Sequence, residues 1–224
     1  MILLLVRHGE STKNISDSFG GRNCDFEITT AGIEQIRRTS DWIRHLMNRK
    51  HLGYGVILSS PERRAERSAA ILSSLPHFRL VFDERLSSID SGSLSGMTEI
   101  AARKAFPEVM YAKDRYRLGI LNGYNVTYPN GESVVEFQQR VVSALADILH
   151  EVKSPLVVFV GHQSTITAVL SWMTPQKKSS RWYHYFVLDC GGISEVHYGS
   201  KGNRCIISVN VRFSEGTDDD SDGN

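Results

Sequence analysis

The sequence has 224 residues, of which 41% are hydrophobic and 23% are charged, and its formal net charge is +1 at pH 7. This composition is typical of a globular domain that buries a core without disulfides or structural metals. The near-neutral charge favours neither nucleic acid nor an anionic membrane as a partner, and we expect neither. The three cysteines show no Cys-x-x-Cys spacing, and no basic leader or long apolar run is present, so we expect a cytoplasmic protein.

Short apolar runs alternate with amphipathic segments along the chain. Residues 2–6 form the first predicted strand, and a polar loop follows to about residue 28. Apolar residues at helical spacing then predict a helix from Thr29 or Thr30 to Asn48. The later predicted elements are strands at 56–58, 80–82 and 156–160, helices at 61–74, 98–105, 107–116, 132–152 and 164–172, and final strands at 185–188, 193–197 and 205–211.

This order of elements predicts the fold class. Strands that alternate with helices favour an α/β fold, and we expect a three-layer α/β/α sandwich with a mainly parallel central sheet. Residues 1–213 are expected to form a single catalytic domain. Residues 214–224 are acidic and poor in apolar side chains, which is typical of a disordered tail.

Two of the predicted strands each end in a histidine. His8 follows the first strand, and His162 follows the strand at 156–160. The carboxyl ends of parallel strands meet at one edge of the sheet, where open α/β folds bind their ligands. A neutral imidazole nitrogen is a competent nucleophile, and arginine side chains match the geometry of phosphate oxygens. The pattern therefore indicates a site for a phosphoryl group.

Five segments resemble one known family, in the same order, over about residues 1–170. The first is Arg7-His8-Gly9-Glu10-Ser11, with Asn14 where an asparagine follows the signature in relatives. The others are residues 25–35, similar to "D-x-x-L-T-x-x-G-x-x-Q"; residues 59–69, similar to "S-S-x-x-x-R-A-x-x-T-A"; residues 129–133, matching "P-x-G-E-S"; and Gly161-His162. The chain thus resembles the histidine phosphatase (phosphoglycerate mutase-like) superfamily.

The resemblance implies roles for individual residues. His8 is the expected nucleophile, which forms a phosphohistidine, and Arg7, Arg64 and His162 complete the catalytic set. Because these groups supply the positive charge that phosphoryl transfer needs, we expect no metal and no cofactor. The implied function is hydrolysis of a small phosphorylated metabolite, with a sugar phosphate as one substrate class and a homodimer left open. The expected phosphate-binding residues are Arg7, Asn14, Arg64 and His162.

One position departs from the family pattern. Relatives carry a glutamate in "L-x-E-x-x-x-G", which protonates the leaving alcohol, and Ser88 stands at that place in residues 86–92. A serine hydroxyl is too weak an acid for this step, and a positioned acid commonly contributes about 10²–10⁴-fold. Asp90 and Glu132 are the candidate replacements, with Glu10 ranked lower. A water held by Ser88, or a substrate with a good leaving group, would also resolve the problem.

Two other functions stay open. A phosphoglycerate-type mutase must retain the phosphoryl group and exclude water, but the longer basic insertion of such mutases has no match here. A catalytically weakened relative that binds phosphorylated ligands or a partner would explain Ser88, although the intact histidines and arginines oppose it. Lys13, Arg22 and the basic stretch at 103–117 are either solvated surface or contacts for another part of the substrate.

Overall fold

The computed structural model describes residues 1–20, 24, 26–121, 126–174, 185–199 and 203–213. The strands in this part of the chain belong to one sheet, in the spatial order third, second, fourth, first, fifth, sixth. The first four are mutually parallel, the fifth pairs antiparallel with the first, and the sixth pairs antiparallel with the fifth, so the sheet is mainly parallel. They are β1 (Ile2–Arg7), β2 (Gly55–Ser59), β3 (Phe78–Phe82), β4 (Leu156–Gly161), β5 (Ile193–Tyr198) and β6 (Arg204–Val211).

Helices cover both faces of this sheet. α2 (Thr30–Arg49) and α3 (Arg63–Leu72) pack on one face, and α6 (Val134–Glu151) and α7 (Gln163–Met173) pack on the other, which confirms the three-layer α/β/α sandwich. No helix among the described residues combines the length and the apolar character needed to cross a membrane. The helices are α1 (Thr12–Ser16), α2 (Thr30–Arg49), α3 (Arg63–Leu72), α4 (Glu99–Ala105), α5 (Pro107–Arg117), α6 (Val134–Glu151) and α7 (Gln163–Met173).

The β1 strand shows why the central runs are apolar throughout. Leu3 and Leu5 join the core beneath α6 and α7, whereas Leu4 and Val6 join the core beneath α2 and α3. All four side chains are 0% exposed. A parallel strand that is covered on both faces therefore needs apolar residues at every position, rather than at alternate ones.

A third, smaller core lies apart from the two sheet faces. It combines α4 and α5 with Phe19, Leu94 and Tyr128, and both Phe19 and Tyr128 also line the cavity that holds His8 and His162. The irregular middle of the chain therefore forms a cap beside the carboxyl edge of the sheet. This placement makes the cap the part of the fold that can contact the rest of a substrate.

Three predicted elements were wrong in detail. The helix expected to open at Pro61 begins at Arg63, with Glu62 as its N-cap. The loop after β1 contains the α1 helix, which was missed although Ser11 and Asn14 form a capping pair. Residues 185–188 are not a strand, because backbone groups of Phe186 and Leu188 bond to the Gln163 side chain instead of a neighbouring strand.

Some predictions lie outside the described residues. These are the disordered tail at 214–224, the second-anion role of Arg22, and the first residue of the 25–35 segment. They stay predictions, as do the domain limits of 1–213.

Candidate active site

The two histidines meet because of strand pairing. β1 and β4 are adjacent and parallel, with Arg7 opposite Gly161, so the residues that follow them lie side by side. The ring centroids of His8 and His162 are 5.2 Å apart, and each residue is 3% exposed. The structure therefore brings together, in one buried place, the two histidines that the sequence indicated.

Two hydrogen bonds define the state of the His8 ring. Nδ1 lies 2.7 Å from the backbone oxygen of Gly9, and since a carbonyl only accepts, Nδ1 carries the proton. Nε2 accepts a hydrogen bond from Nε of Arg64 at 3.3 Å. Burial lowers the pKa of His8 well below its usual value, and the adjacent His162 ring and the positive charges of Arg64 and Arg7 lower it further. His8 is thus neutral, with the Nε2 lone pair directed into the site.

His162 is placed by the start of α7, of which it is the N-cap. Its Nε2 lies 2.9 Å from Oγ of Ser60 and 3.4 Å from Oε1 of Glu62. Burial, followed by the charges of Arg64, Lys13 and Arg7, lowers the pKa of His162 well below its usual value. The ring is therefore neutral without a ligand, and a bound phosphate dianion would favour the protonated, donating form.

These buried histidines predict that stability falls in mild acid. Below a pH of about 6.5 the unfolded chain protonates both rings, whereas the folded chain resists protonation because its pKa values are lower. Stability is then present above pH 6.5 and is lost as the pH falls, by up to about 1.4 kcal/mol per pH unit for each ring. Urea denaturation at pH 7.5 and 5.5 in phosphate-free buffer measures this. An equally steep loss in the double variant His8→Asn/His162→Asn would contradict the assignment.

Arg64 is the most buried cation of the site. It lies in the first turn of α3 and is 2% exposed. Nη2 of Arg64 is 2.5 Å from Oε2 of Glu62 and 3.5 Å from Oγ of Ser88. The neighbouring Arg63 instead forms a surface ion pair with Glu27 at 2.6 Å. The structure therefore places Arg64, and not Arg63, beside the histidines.

Arg7, Asn14 and Lys13 line the same cavity. Nη1 of Arg7 donates to the backbone oxygen of Leu188 at 2.5 Å, which anchors the guanidinium. Oδ1 of Asn14 accepts from Ser11 N at 3.0 Å and from Ser11 Oγ at 2.8 Å, so the amide Nδ2 remains as the donor to a ligand. Burial, with Arg64 and Arg7, lowers the pKa of Lys13 to about 8. These groups add cationic and donor character around His8.

The cavity extends from the histidines to the cap and has a volume of about 240 Å³. Its outer wall includes Lys113 and Arg117. Nζ of Lys113 is 3.1 Å from Oε2 of Glu99, and Arg117 donates to the hydroxyl of Tyr185. By contrast, Arg103 is 46% exposed and pairs with Glu99 and Asp114. The basic stretch is therefore divided between the cavity wall and solvated surface.

The carboxylates proposed as replacement acids have other partners. Glu132 accepts two bonds of 2.7 Å from Arg140 and one of 3.0 Å from the Asp90 backbone N–H. Oδ1 of Asp90 accepts from the Gly92 N–H at 3.0 Å, and Oε1 of Glu10 accepts from Thr29 at 2.8 Å. None of these three acids is among the described residues that line the cavity. Their catalytic roles stay predictions.

Sequence reasoning missed Glu62, an acidic residue that contacts this site. Oε1 of Glu62 accepts the backbone N–H of Ser88 at 2.5 Å and lies near His162, while its Oε2 is paired with Arg64. The available signal was its position, two residues before Arg64 in a segment that resembles the family. That segment was interpreted only for its arginine.

Other family-like segments support the site without entering it. A side chain at Gly9 would place its Cβ 2.3 Å from the backbone oxygen of Gly32, so the loop after β1 packs directly on α2. Glu10 N–H also donates to Oε1 of Gln35 at 2.9 Å. At 129–133, Ser133 forms a capping box with Glu136 at the start of α6. These residue types are explained by packing and capping, not by contact with substrate.

Comparisons with known proteins agree with this geometry. Residues 3–210 match the model of the histidine phosphatase superfamily (branch 1). The chain is 31% identical over 196 residues to "Putative phosphoserine phosphatase 2" of Hydrogenobacter thermophilus, covering 87% of this chain and 88% of the relative. It is 29% identical to a 2,3-bisphosphoglycerate-dependent phosphoglycerate mutase of a Methylobacterium species, covering 75% of this chain and 78% of the relative.

The fold is likewise shared with solved structures. YhfR of Bacillus stearothermophilus superposes with a TM-score of 0.79 at 20% identity, covering 95% of this chain and 98% of that one. The mycobacterial glucosyl-3-phosphoglycerate phosphatase Rv2419c superposes with a TM-score of 0.74 at 19% identity, covering 93% and 98%. At these identities the likeness concerns the fold alone. The family match over most of the chain shows that this protein belongs to branch 1 of the histidine phosphatase superfamily.

Proposed function

We propose that the protein hydrolyses a small phosphate monoester through a phosphohistidine at His8, without a metal ion. The observation that carries the proposal is the state of His8. Its ring is neutral, Nδ1 is occupied by Gly9, and Nε2 presents its lone pair next to Arg64. This is the arrangement that a nitrogen nucleophile requires for attack on phosphorus.

The surrounding side chains suit the charge of a phosphoryl group. Arg7, Arg64 and the Asn14 amide are donors to its oxygens, and His162 becomes one when the bound anion favours its protonation. These interactions strengthen as charge redistributes over the equatorial oxygens in the transition state. In the first step Nε2 of His8 forms a bond to phosphorus and the ester oxygen leaves. In the second step water displaces the histidine and releases inorganic phosphate.

The experiment that tests the proposal is a panel of phosphomonoesters with phosphate release as the readout. We expect turnover on at least one small ester, together with a trapped phosphoryl group on His8 after rapid quenching. A mutase would instead move the phosphoryl group between phosphoglycerates without net release of phosphate. A weakened relative would bind phosphorylated compounds with no turnover above the background rate, and that result would reject the proposal.

The outer part of the cavity indicates which class of substrate the protein is proposed to bind. The cavity volume of about 240 Å³ suits a small metabolite, and Lys113 and Arg117 provide positive charge at the outer wall, away from the two histidines. A phosphorylated compound with a second anionic or polar group fits this wall best. Relatives are named for phosphoserine and for phosphoglycerates, and both belong in the panel beside sugar phosphates.

Activity should survive exhaustive treatment with EDTA. The positive charge near His8 comes from Arg7, Arg64 and Lys13, so the proposed mechanism assigns no step to a divalent ion. Among the described residues, no three His, Cys, Asp or Glu side chains form a group that could hold a metal. Phosphate release is measured before and after chelation, and after addition of Mg²⁺, Mn²⁺ or Zn²⁺. Loss of activity that one of these ions restores would overturn the metal-free mechanism.

Two further points belong to the same proposal. A cytoplasmic location fits the cysteines, since Cys24, Cys190 and Cys205 are all unpaired. A homodimer stays a prediction, which the molar mass in solution measures directly.

A further inference from the structure

We infer that Glu62 is the proton donor of the reaction and replaces the glutamate that Ser88 has displaced. The inference rests on the proposed function and adds to it the acid that releases the leaving alcohol. It moves that acid from the loop after β3 to the N-cap of α3.

The first argument is contact. The Glu62 carboxylate bonds to the Ser88 backbone at 2.5 Å, to Arg64 at 2.5 Å, and lies 3.4 Å from Nε2 of His162. Ser88, Arg64 and His162 all line the cavity, and Glu62 contacts all three from outside the cavity lining. The Ser88 side chain ends at Oγ, 3.5 Å from Nη2 of Arg64, which is the guanidinium nitrogen that Glu62 also contacts.

The second argument is that residues of the site, and not the helix cap, hold the Glu62 side chain. Although it occupies the N-cap position of α3, its side chain makes no capping hydrogen bond. Its side chain is 12% exposed, which is unusual for a glutamate outside a functional or ion-paired setting. Its Oε2 is buried and makes only the charge contact with Arg64, with no well-directed hydrogen bond among the described residues. The carboxylate is held in place by groups of the site itself.

The third argument is electrostatic. Without substrate, the carboxylate shares Arg64 with His8. A phosphate dianion that binds Arg64 competes with Glu62 for the same guanidinium and places negative charge beside the carboxylate. Substrate binding thus frees the Glu62 carboxyl group from Arg64 and lets it turn toward the leaving oxygen.

The proton balance of the two steps is complete. In the first step Nε2 of His8 bonds to phosphorus, the bond from phosphorus to the ester oxygen breaks, and protonated Glu62 gives its proton to that oxygen. An alcohol leaves, and Glu62 becomes a carboxylate. In the second step the carboxylate takes a proton from water as the water oxygen attacks phosphorus. The bond between nitrogen and phosphorus breaks, which regenerates neutral His8 and protonated Glu62.

The test compares leaving groups in Glu62→Gln. The variant keeps the size and one acceptor oxygen of the side chain but cannot donate an acidic proton. We expect kcat/KM to fall by about 10²–10⁴-fold for the best alkyl phosphate of the panel. For 4-nitrophenyl phosphate, whose phenolate leaves without a proton, we expect a much smaller loss. We use kcat/KM because it reports the transfer to His8 and not the later hydrolysis, which both esters share.

Two further variants separate catalysis from structure. Glu66→Gln changes an exposed glutamate on the same helix and should leave both substrates unaffected. The double variant Glu62→Gln/Ser88→Glu returns an acid to the family position and should recover alkyl ester turnover by at least tenfold. The double variant therefore tests whether an acid is needed at this position even if Glu62→Gln alone folds poorly. Thermal unfolding measures the stability of each variant.

The outcomes are distinct. An equal loss on alkyl and aryl esters would mean that Glu62 only positions Arg64, and it would overturn the inference. Unchanged alkyl turnover would do the same, and a selective loss in Asp90→Asn or Glu132→Gln would then name the acid. If the wild type hydrolyses no ester at all, the proposed function fails first and this inference fails with it.

Discussion

Replacement of His8 by alanine should abolish turnover and phosphoenzyme formation. Loss of the nucleophile in another hydrolase costs on the order of 10⁶-fold in kcat, and we expect a loss that approaches the detection limit here. Nε2 of His8 is unprotonated and accepts a hydrogen bond from Nε of Arg64. The exchange removes a neutral imidazole and leaves no buried charge without a partner, so the variant should fold.

The measurement combines steady-state kinetics with chemical quenching after reaction with a radiolabelled ester. A phosphohistidine is labile in acid and stable in base, which separates it from a phosphoserine. His150→Ala, at an exposed position of α6, is the matched control and should behave as wild type. An acid-labile, base-stable phosphoryl group on His8→Ala would show that another histidine is the nucleophile.

Arg64→Ala should have the second largest effect, on both catalysis and stability. The guanidinium contacts His8 and Glu62, and its position suits the transferred oxygens, so its loss should lower kcat/KM by about 10²–10³-fold. The deletion also leaves the Glu62 carboxylate without its cation. Breaking a buried pair in this way costs about 3–5 kcal/mol, and 3 kcal/mol is the better estimate for a partly exposed carboxylate.

Two variants separate these effects. Arg64→Gln/Glu62→Gln removes both charges and should regain most of the lost stability in urea denaturation, but none of the activity. Arg63→Ala changes the adjacent arginine, which pairs with Glu27 at the surface, and should leave turnover unchanged. If Arg64→Ala retained wild-type kinetics, or if Arg63→Ala lost them, the assignment of the phosphate-binding arginine would be wrong.

The sequence alone determined the fold class and the meeting of the two histidines. Both results follow from local information. A short run that is apolar at every position predicts a parallel strand buried on both faces, and the residue after such a strand lies at the edge of the sheet where ligands bind. β1 and β4 each end one residue before a histidine. Because the two strands are adjacent and in register at their ends, His8 and His162 lie next to each other. Arg64 was also identified from the sequence, but by its register within a segment that resembles the family.

Only the tertiary structure shows that Glu62 contacts residues of this site. Asp90, Glu132 and Glu62 each lie in a segment that resembles the family. The spacing of residues along the sequence does not show which of these three carboxylates points toward the histidines. Asp90 and Glu132 are joined to each other, and Glu132 also to Arg140, whereas Glu62 contacts Ser88, Arg64 and His162. The direction of a carboxylate at the end of a flexible side chain depends on charges brought close by distant parts of the chain.

The segment at 185–188 failed as a prediction for the same physical reason. Its apolar and aromatic residues have local strand preference, but backbone hydrogen bonds require a neighbour at strand spacing, and Gln163 satisfies these groups instead. Gln163 Oε1 accepts from the Leu188 backbone, and the Leu188 carbonyl in turn accepts from Arg7. Local sequence therefore determines which elements form and where strands end, while contacts between residues more than 20 positions apart determine which polar groups face the phosphate.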